Sequence, residues 1–215
     1  MERLKLDIER CSSSVLGERG LAPAMLDELR PRLRYARKNV LQAAGSGMLG
    51  FTELPGKDPA PLLAYAESVR GRYDALLVIG IGGSALGTTA LATSLLPFYF
   101  NQLSSEARGG VPRLYVLDNV DPDETAALLS HLDLRRTLVN VISKSGTTGE
   151  SMAGYLIVRE RLEQLVGAEG LKDHLVFTTD PSKGTLRQLG ASLGAPMFDI
   201  PPGVGGRFSV LSPVG

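Results

Sequence analysis

The chain has 215 residues and carries 23 Lys plus Arg against 23 Asp plus Glu, a formal net charge of zero. That balance argues against a nucleic-acid partner or a polybasic membrane contact, both of which draw on surplus basic charge, while leaving room for a local pocket for a small anion. Hydrophobic residues make up 43% of the chain, an ordinary globular composition at a length that buries a full core without disulfides or metals.

The single cysteine, Cys11, sits in the run Cys11-Ser12-Ser13-Ser14 with no His or second Cys beside it, and reads as an incidental thiol. The N-terminus is charged and no apolar run approaches the ~18 residues of a membrane span. These features predict a cytoplasmic protein without a membrane partner. Leu26, Leu29, Leu33 and Ala36 recur at helical spacing among Arg and Glu, and Gly45-Ser46-Gly47 ends that helix. A Pro- and Gly-rich loop from Phe51 to Pro59 precedes a second helix over Ala60 to Arg70. Residues 1–72 are expected to form a helical segment docked on the core domain, residues 73–215.

From Tyr73 the rhythm becomes strand, polar or glycine loop, helix. Strands are predicted at 75–79, 113–117, 137–142, 175–179 and 197–200. Each is a short, mostly apolar run of the kind that lies in a parallel sheet covered on both faces. Helices are predicted after Ser84 to about Leu96, from Asp121 to Leu132, from Glu150 to Leu165 and from Gly184 to Leu193. Alternation of this kind predicts an α/β fold: an open, doubly wound, five-stranded parallel sheet, with order 2-1-3-4-5 as the flavodoxin-like arrangement. In such a sheet ligands bind beyond the carboxyl ends of the strands, where the order reverses.

Two loops at that position have unusual composition. Gly80-Ile81-Gly82-Gly83-Ser84-Ala85-Leu86-Gly87 lets backbone N–H groups approach an anion at a helix N-terminus, with the Ser84 hydroxyl as a further donor or a cap. It also fits the loose G-x-G-x-x-G/A fingerprint. An acidic residue should then follow about 20 positions on, yet Asp118, which ends the second strand, comes too late, so nicotinamide binding is a poor fit. The loop after the third strand, Ser143-Lys144-Ser145-Gly146-Thr147-Thr148, clusters hydroxyls around a glycine with one compact cation, a donor set suited to a phosphate monoester. Lys144 precedes the glycine, so this is not a P-loop. No acidic residue is placed to hold Mg²⁺, and no metal or cofactor is expected. Near the C-terminus, Gly205-Gly206 lets the chain approach a ligand closely and sets the cation of Arg207 beside it. His131 and His174 are read as structural.

Three stretches, taken in order, resemble the glucose-6-phosphate isomerase family: 78–84, 142–150 and, most specifically, Gly205-Gly206-Arg207-Phe208-Ser209. The first two alone indicate the wider sugar isomerase (SIS) fold, whose members include non-catalytic sugar-phosphate-binding modules, and these form the alternative reading. The resemblance implies that Gly83, Ser84 and the residues Ser143, Lys144, Ser145, Gly146, Thr147 and Thr148 bind the sugar phosphate. It implies that Arg207 stabilises a cis-enediolate between glucose 6-phosphate and fructose 6-phosphate, a glycolytic and gluconeogenic step, in a homodimer. The family's glutamate base, ring-opening histidine and C-terminal lysine belong to a second half. The chain is therefore expected to be the N-terminal half, binding the phosphosugar weakly and isomerising little alone.

Overall fold

The computed structural model describes residues 5–215. Its contacts gather into two units, Met1–Leu49 and Gly50–Gly215. In the first, a short helix α1 (Ser13–Leu16) leads to α2 (Pro23–Gly45). Pro23 stands in the first turn of α2, where a missing N–H costs nothing, and the helix continues through Pro31. None of its residues is buried.

The second unit begins with a 3-10 helix, Gly50–Gly56, and α3 (Ala60–Val69). Then follow β1 (Ala75–Ile79), α4 (Gly83–Leu95), β2 (Arg113–Leu117), α5 (Pro122–His131), β3 (Thr137–Ser143), α6 (Gly149–His174), β4 (Leu175–Thr179), α7 (Thr185–Leu193) and β5 (Met197–Asp199). All five strands are parallel in the order β2-β1-β3-β4-β5, the fold class and order that the sequence predicts.

Side chains alternate along each strand, so Leu77, Ile79, Val139, Val141, Leu175 and Phe177 share one face. There they pack with Leu129 of α5, Tyr155, Val158 and Leu162 of α6, and Leu186 of α7. Each such side chain contributes about 1.5–3 kcal/mol by leaving water. Gly154 lets α6 settle onto the sheet: a Cβ there would lie 3.1 Å from Ile79 and 3.3 Å from Leu117. The opposite face carries Val78, Ile142 and Ile200 against Val214, and Leu138 and Val176 against Tyr65, Val69 and Tyr73. Asn140, in the middle of β3 on that face, is answered by Thr178, whose hydroxyl donates to its amide oxygen at 3.0 Å.

Local chemistry explains the boundaries. The Asp121 carboxylate accepts the N–H groups of Asp123 and Glu124, both at 2.9 Å, and Pro122 opens α5. The sequence predicts a helix ending near Leu165, whereas α6 reaches His174. Gly167, at φ 74° and ψ 168°, breaks it into two helical stretches, and Leu171 in the second is fully buried. His174 closes α6 with Nδ1 donating to the Thr137 carbonyl at 3.0 Å, and His131 closes α5 with Nε2 3.2 Å from the Tyr115 hydroxyl. The outer edge of β2 meets Asn101, whose side-chain amide donates to Leu114 O at 2.7 Å and accepts from Leu114 N at 2.9 Å.

Candidate functional site

Strands β1 and β3 are neighbours in register, Leu77 beside Val139 and Ile79 beside Val141, so the loops that follow them open side by side at the carboxyl edge. Helix α4 packs on the face opposite α6, which makes the gap between the loops the reversal point of the sheet. Both unusual loops are therefore brought to one place.

The first loop turns at Gly82, whose φ of 56° favours glycine, and α4 starts at Gly83 with no side-chain cap. The Ser84 side chain is half-buried and takes no partner among the described residues. Gly83 does something the sequence does not disclose. A Cβ on it would lie 2.5 Å from both Cα and O of Gly206, so the first and third motifs meet backbone to backbone across more than 120 residues of chain. Ser209, buried, seals the junction, its hydroxyl 3.1 Å from the Gly83 carbonyl and 2.7 Å from that of Gly206.

The second loop divides its hydroxyls between structure and solvent. Ser143 is buried. Its oxygen accepts the Gly146 N–H at 3.2 Å and lies 3.0 Å from the Thr148 hydroxyl, which makes it the brace of the loop. Ser145 is exposed and accepts both the N–H and the hydroxyl of Thr147, at 3.2 and 3.3 Å. Its oxygen also lies 3.4 Å from the Thr148 hydroxyl, so the hydroxyls of Ser145, Thr147 and Thr148 form one local network at the mouth of the loop. Thr148 stands at the N-cap of α6 without making a side-chain cap bond, so the first-turn amides and the helix dipole remain open to an anion. Lys144 donates one of its three N–H bonds to the Val204 carbonyl at 2.7 Å, tying this loop to the chain that enters the third motif.

Two parts of the site carry no recognisable signal in the sequence. One is the β4–α7 turn beneath the second loop. At Gly146, whose φ is 67°, a Cβ would lie 2.9 Å from Leu186 N and 3.1 Å from Thr185 N, and a Cβ on Gly184 would lie 2.5 Å from Ser145 O. Asp180 stiffens that turn by accepting from the N–H groups of Ser182 and Lys183 at 2.9 and 3.2 Å and from the Ser182 hydroxyl. These bonds, the Ser182 N–H foremost, hold its carboxyl below the usual carboxylate range. The other is the 3-10 helix at 50–56, whose Phe51 ring stacks on Phe208 with centroids 4.4 Å apart and planes 15° off parallel. Sequence reading treats that segment as a plain loop, because nothing in its composition names its neighbour.

Arg207 lies at the centre of a 3-10 turn, Gly206–Phe208. Its guanidinium is exposed and has neither an ion pair nor a hydrogen bond among the described residues. Two contacts, Gly83 with Gly206 and Lys144 with Val204, thus tie the glycine loop and the hydroxyl-rich loop to the segment that bears Arg207, and no group of His, Cys, Asp and Glu among the described residues could hold a metal.

The chain is similar to known proteins along most of its length. The phosphoglucose isomerase family matches residues 65–215. A glucose-6-phosphate isomerase of Carboxydothermus hydrogenoformans is 42% identical over 215 residues, 99% of this chain and 46% of that protein. One from Thermus thermophilus is 42% identical over 90% of this chain and 44% of its own length. Among solved structures, a hypothetical protein of Thermus thermophilus superposes with a TM-score of 0.78 at 39% identity, covering 90% of this chain and 44% of that one. A glucose-6-phosphate isomerase of Chlamydia trachomatis gives 0.57 at 31%, over 71% of this chain and 28% of its own. The chain spans about half the length of the curated relatives it matches.

Proposed function

Because this chain belongs to the phosphoglucose isomerase family, we propose that it supplies the phosphate-binding side and the enediolate-stabilising cation of an enzyme that interconverts glucose 6-phosphate and fructose 6-phosphate. The observation that supports this reading is the backbone contact of Gly83 with Gly206, which joins the glycine loop to the turn bearing the unpaired Arg207, while Lys144 ties the hydroxyl-rich loop to Val204 just before that turn.

The phosphate is held by Ser145, Thr147 and Thr148 with the first-turn amides of α6, and Lys144 adds charge with the N–H bonds it does not spend on Val204. Gly83 and Ser84 supply donors from the facing loop, while Ser143 and Gly146 keep the second loop in shape. Anchoring the phosphate places the C1–C2 end of an open-chain sugar away from the loop, toward Arg207. Removal of the C2 proton leaves one negative charge on the C1 oxygen, which passes to the C2 oxygen when the C2 hydroxyl proton moves across, and a preorganised guanidinium with no competing partner lowers the energy of that intermediate.

The proton transfer itself needs a base within about 3 Å of the carbon-bound proton. Of the carboxylates at the carboxyl edge, Asp118 follows β2, separated from the hydroxyl-rich loop after β3 by the whole of β1, and three others are already engaged. Asp121 caps α5, Asp180 binds its own turn and Asp199 pairs with Arg187. Glu150 lies in the first turn of α6, inside the phosphate loop. We therefore assign the base to a part of the enzyme outside these 215 residues, for which relatives about twice as long have room.

A thermal-shift titration tests the binding reading. A hexose 6-phosphate should raise the melting temperature, since ligand at 100 times Kd adds about 2.7 kcal/mol, and NAD should not. Arg207-dependent turnover of glucose 6-phosphate by the 215-residue chain alone would overturn the assignment of the base.

A further inference from the structure

We propose that Phe51 is a positioning residue for Arg207, acting through the ring of Phe208. The proposal rests on the reading of Arg207 as the enediolate-stabilising cation, and extends it to a segment more than 150 positions upstream in the chain.

An arginine side chain carries about 2 kcal/mol of rotamer freedom. A guanidinium without protein partners is therefore only as well placed as the backbone that bears it. The turn 206–208 is fastened on one side, where Gly206 meets Gly83, Ser209 bonds to both carbonyls, and Val204 accepts from Lys144. Those attachments hold the residues before and after Arg207–Phe208. Phe208 itself is half exposed, an unfavourable state for a large apolar ring, and its stacked partner is Phe51. A stacked aromatic pair contributes about 0.5–1.5 kcal/mol beyond the area it covers.

Phe51 is delivered to this place by backbone contact. The Gly50 N–H donates to Gly203 O at 3.2 Å, and a Cβ on Gly50 would lie 2.8 Å from Pro202 O and 3.0 Å from the Gly203 carbonyl carbon. Leu54, one helical turn on, is 5% exposed and anchors the 3-10 helix. The Phe51–Phe208 stack is thus a second fastening of the turn, made by a different residue and a different segment from the Gly83 contact. Without it the turn pivots about the Gly83–Gly206 contact, and the guanidinium spends less of its time over the enediolate oxygens. The phosphate loop, fastened by Ser143 and Lys144, is unaffected.

The test compares two probes by calorimetry on the protein and its variants. One is an aldonohydroxamate phosphate, which carries a phosphate and a planar anionic group in place of the enediolate; the other is inorganic phosphate. Phe51→Ala should weaken the hydroxamate about tenfold while changing phosphate less than twofold, and Phe51→Tyr should restore the hydroxamate. Phe51→Leu, which keeps bulk but not the stack and spares the fold if Ala does not, should behave as Ala does. Equal weakening of both probes, or of neither, or failure of Tyr to rescue, overturns the positioning role. Arg207→Ala separates the two failures. If it loses the hydroxamate selectively and Phe51→Ala does not, Phe51 is not a positioning residue. If Arg207→Ala shows no selective loss, the reading of Arg207 falls and the proposal with it.

Discussion

Gly83 shows how much one hydrogen atom can decide. Its neighbour Gly206 is backbone, which cannot swing aside as the end of a long side chain can. Gly83→Ala therefore forces two segments apart, and overpacking of this kind costs about 1–3 kcal/mol. The variant should melt at lower temperature and lose the stabilisation by hexose 6-phosphate. Gly149→Ala is the control: nothing lies within 4 Å of its Cβ, and its melting temperature should hold. A different residue, Asp74, contributes to the acid limb. Arg136 grips Asp74 through two hydrogen bonds of 2.6 and 2.8 Å, and holds its carboxyl below the usual range. A lowered folded-state value means the contribution is complete above the unfolded carboxylate value, about 3.9, and is lost as pH falls through the lower one. Both partners are about half exposed, so the pair contributes about 0–1 kcal/mol. Denaturant curves of wild type and Asp74→Asn should differ by a constant amount near neutrality and converge below about pH 4.

Among the elements, the strands were legible because each is a short apolar run between polar turns, and β1, β2 and β4 fall where those runs predict. The extent of α6 was not, since Gly167 looks like a terminator and only the burial of Leu171 shows that helix resumes beyond it. The site follows the same division. Its loops declare themselves by composition, but the partition of the hydroxyls into the buried brace Ser143 and the exposed Ser145 depends on which way each residue points after β3. Phe51 and Gly184 were invisible because their importance lies in a neighbour distant in sequence. Gly154 offers an element-level prediction. Gly154→Ala should be near neutral, with a helix-propensity gain of about 1 kcal/mol against small shifts of Ile79 and Leu117. Gly154→Leu should lift α6 off the sheet and lower stability by about 1–3 kcal/mol, read as a shift in denaturant midpoint.

At the scale of the whole molecule, neutral net charge is no obstacle to the proposed binding of a dianion, because the donors it calls on are local: amides, hydroxyls, Lys144 and Arg207. The sheet that carries them is open, and an open sheet ends in unpaired backbone. At β2 that edge is met by one amide side chain, Asn101, which offers Leu114 a donor and an acceptor as a sixth strand would. The consequence concerns crowded solutions. Each copy presents a β2 edge already occupied at its centre, so another copy cannot zip onto it and extend the sheet from molecule to molecule. Asn101→Ala should leave ligand binding intact yet raise turbidity in concentrated, warmed samples. Protection of that edge would then rest on a single side chain outside the candidate site.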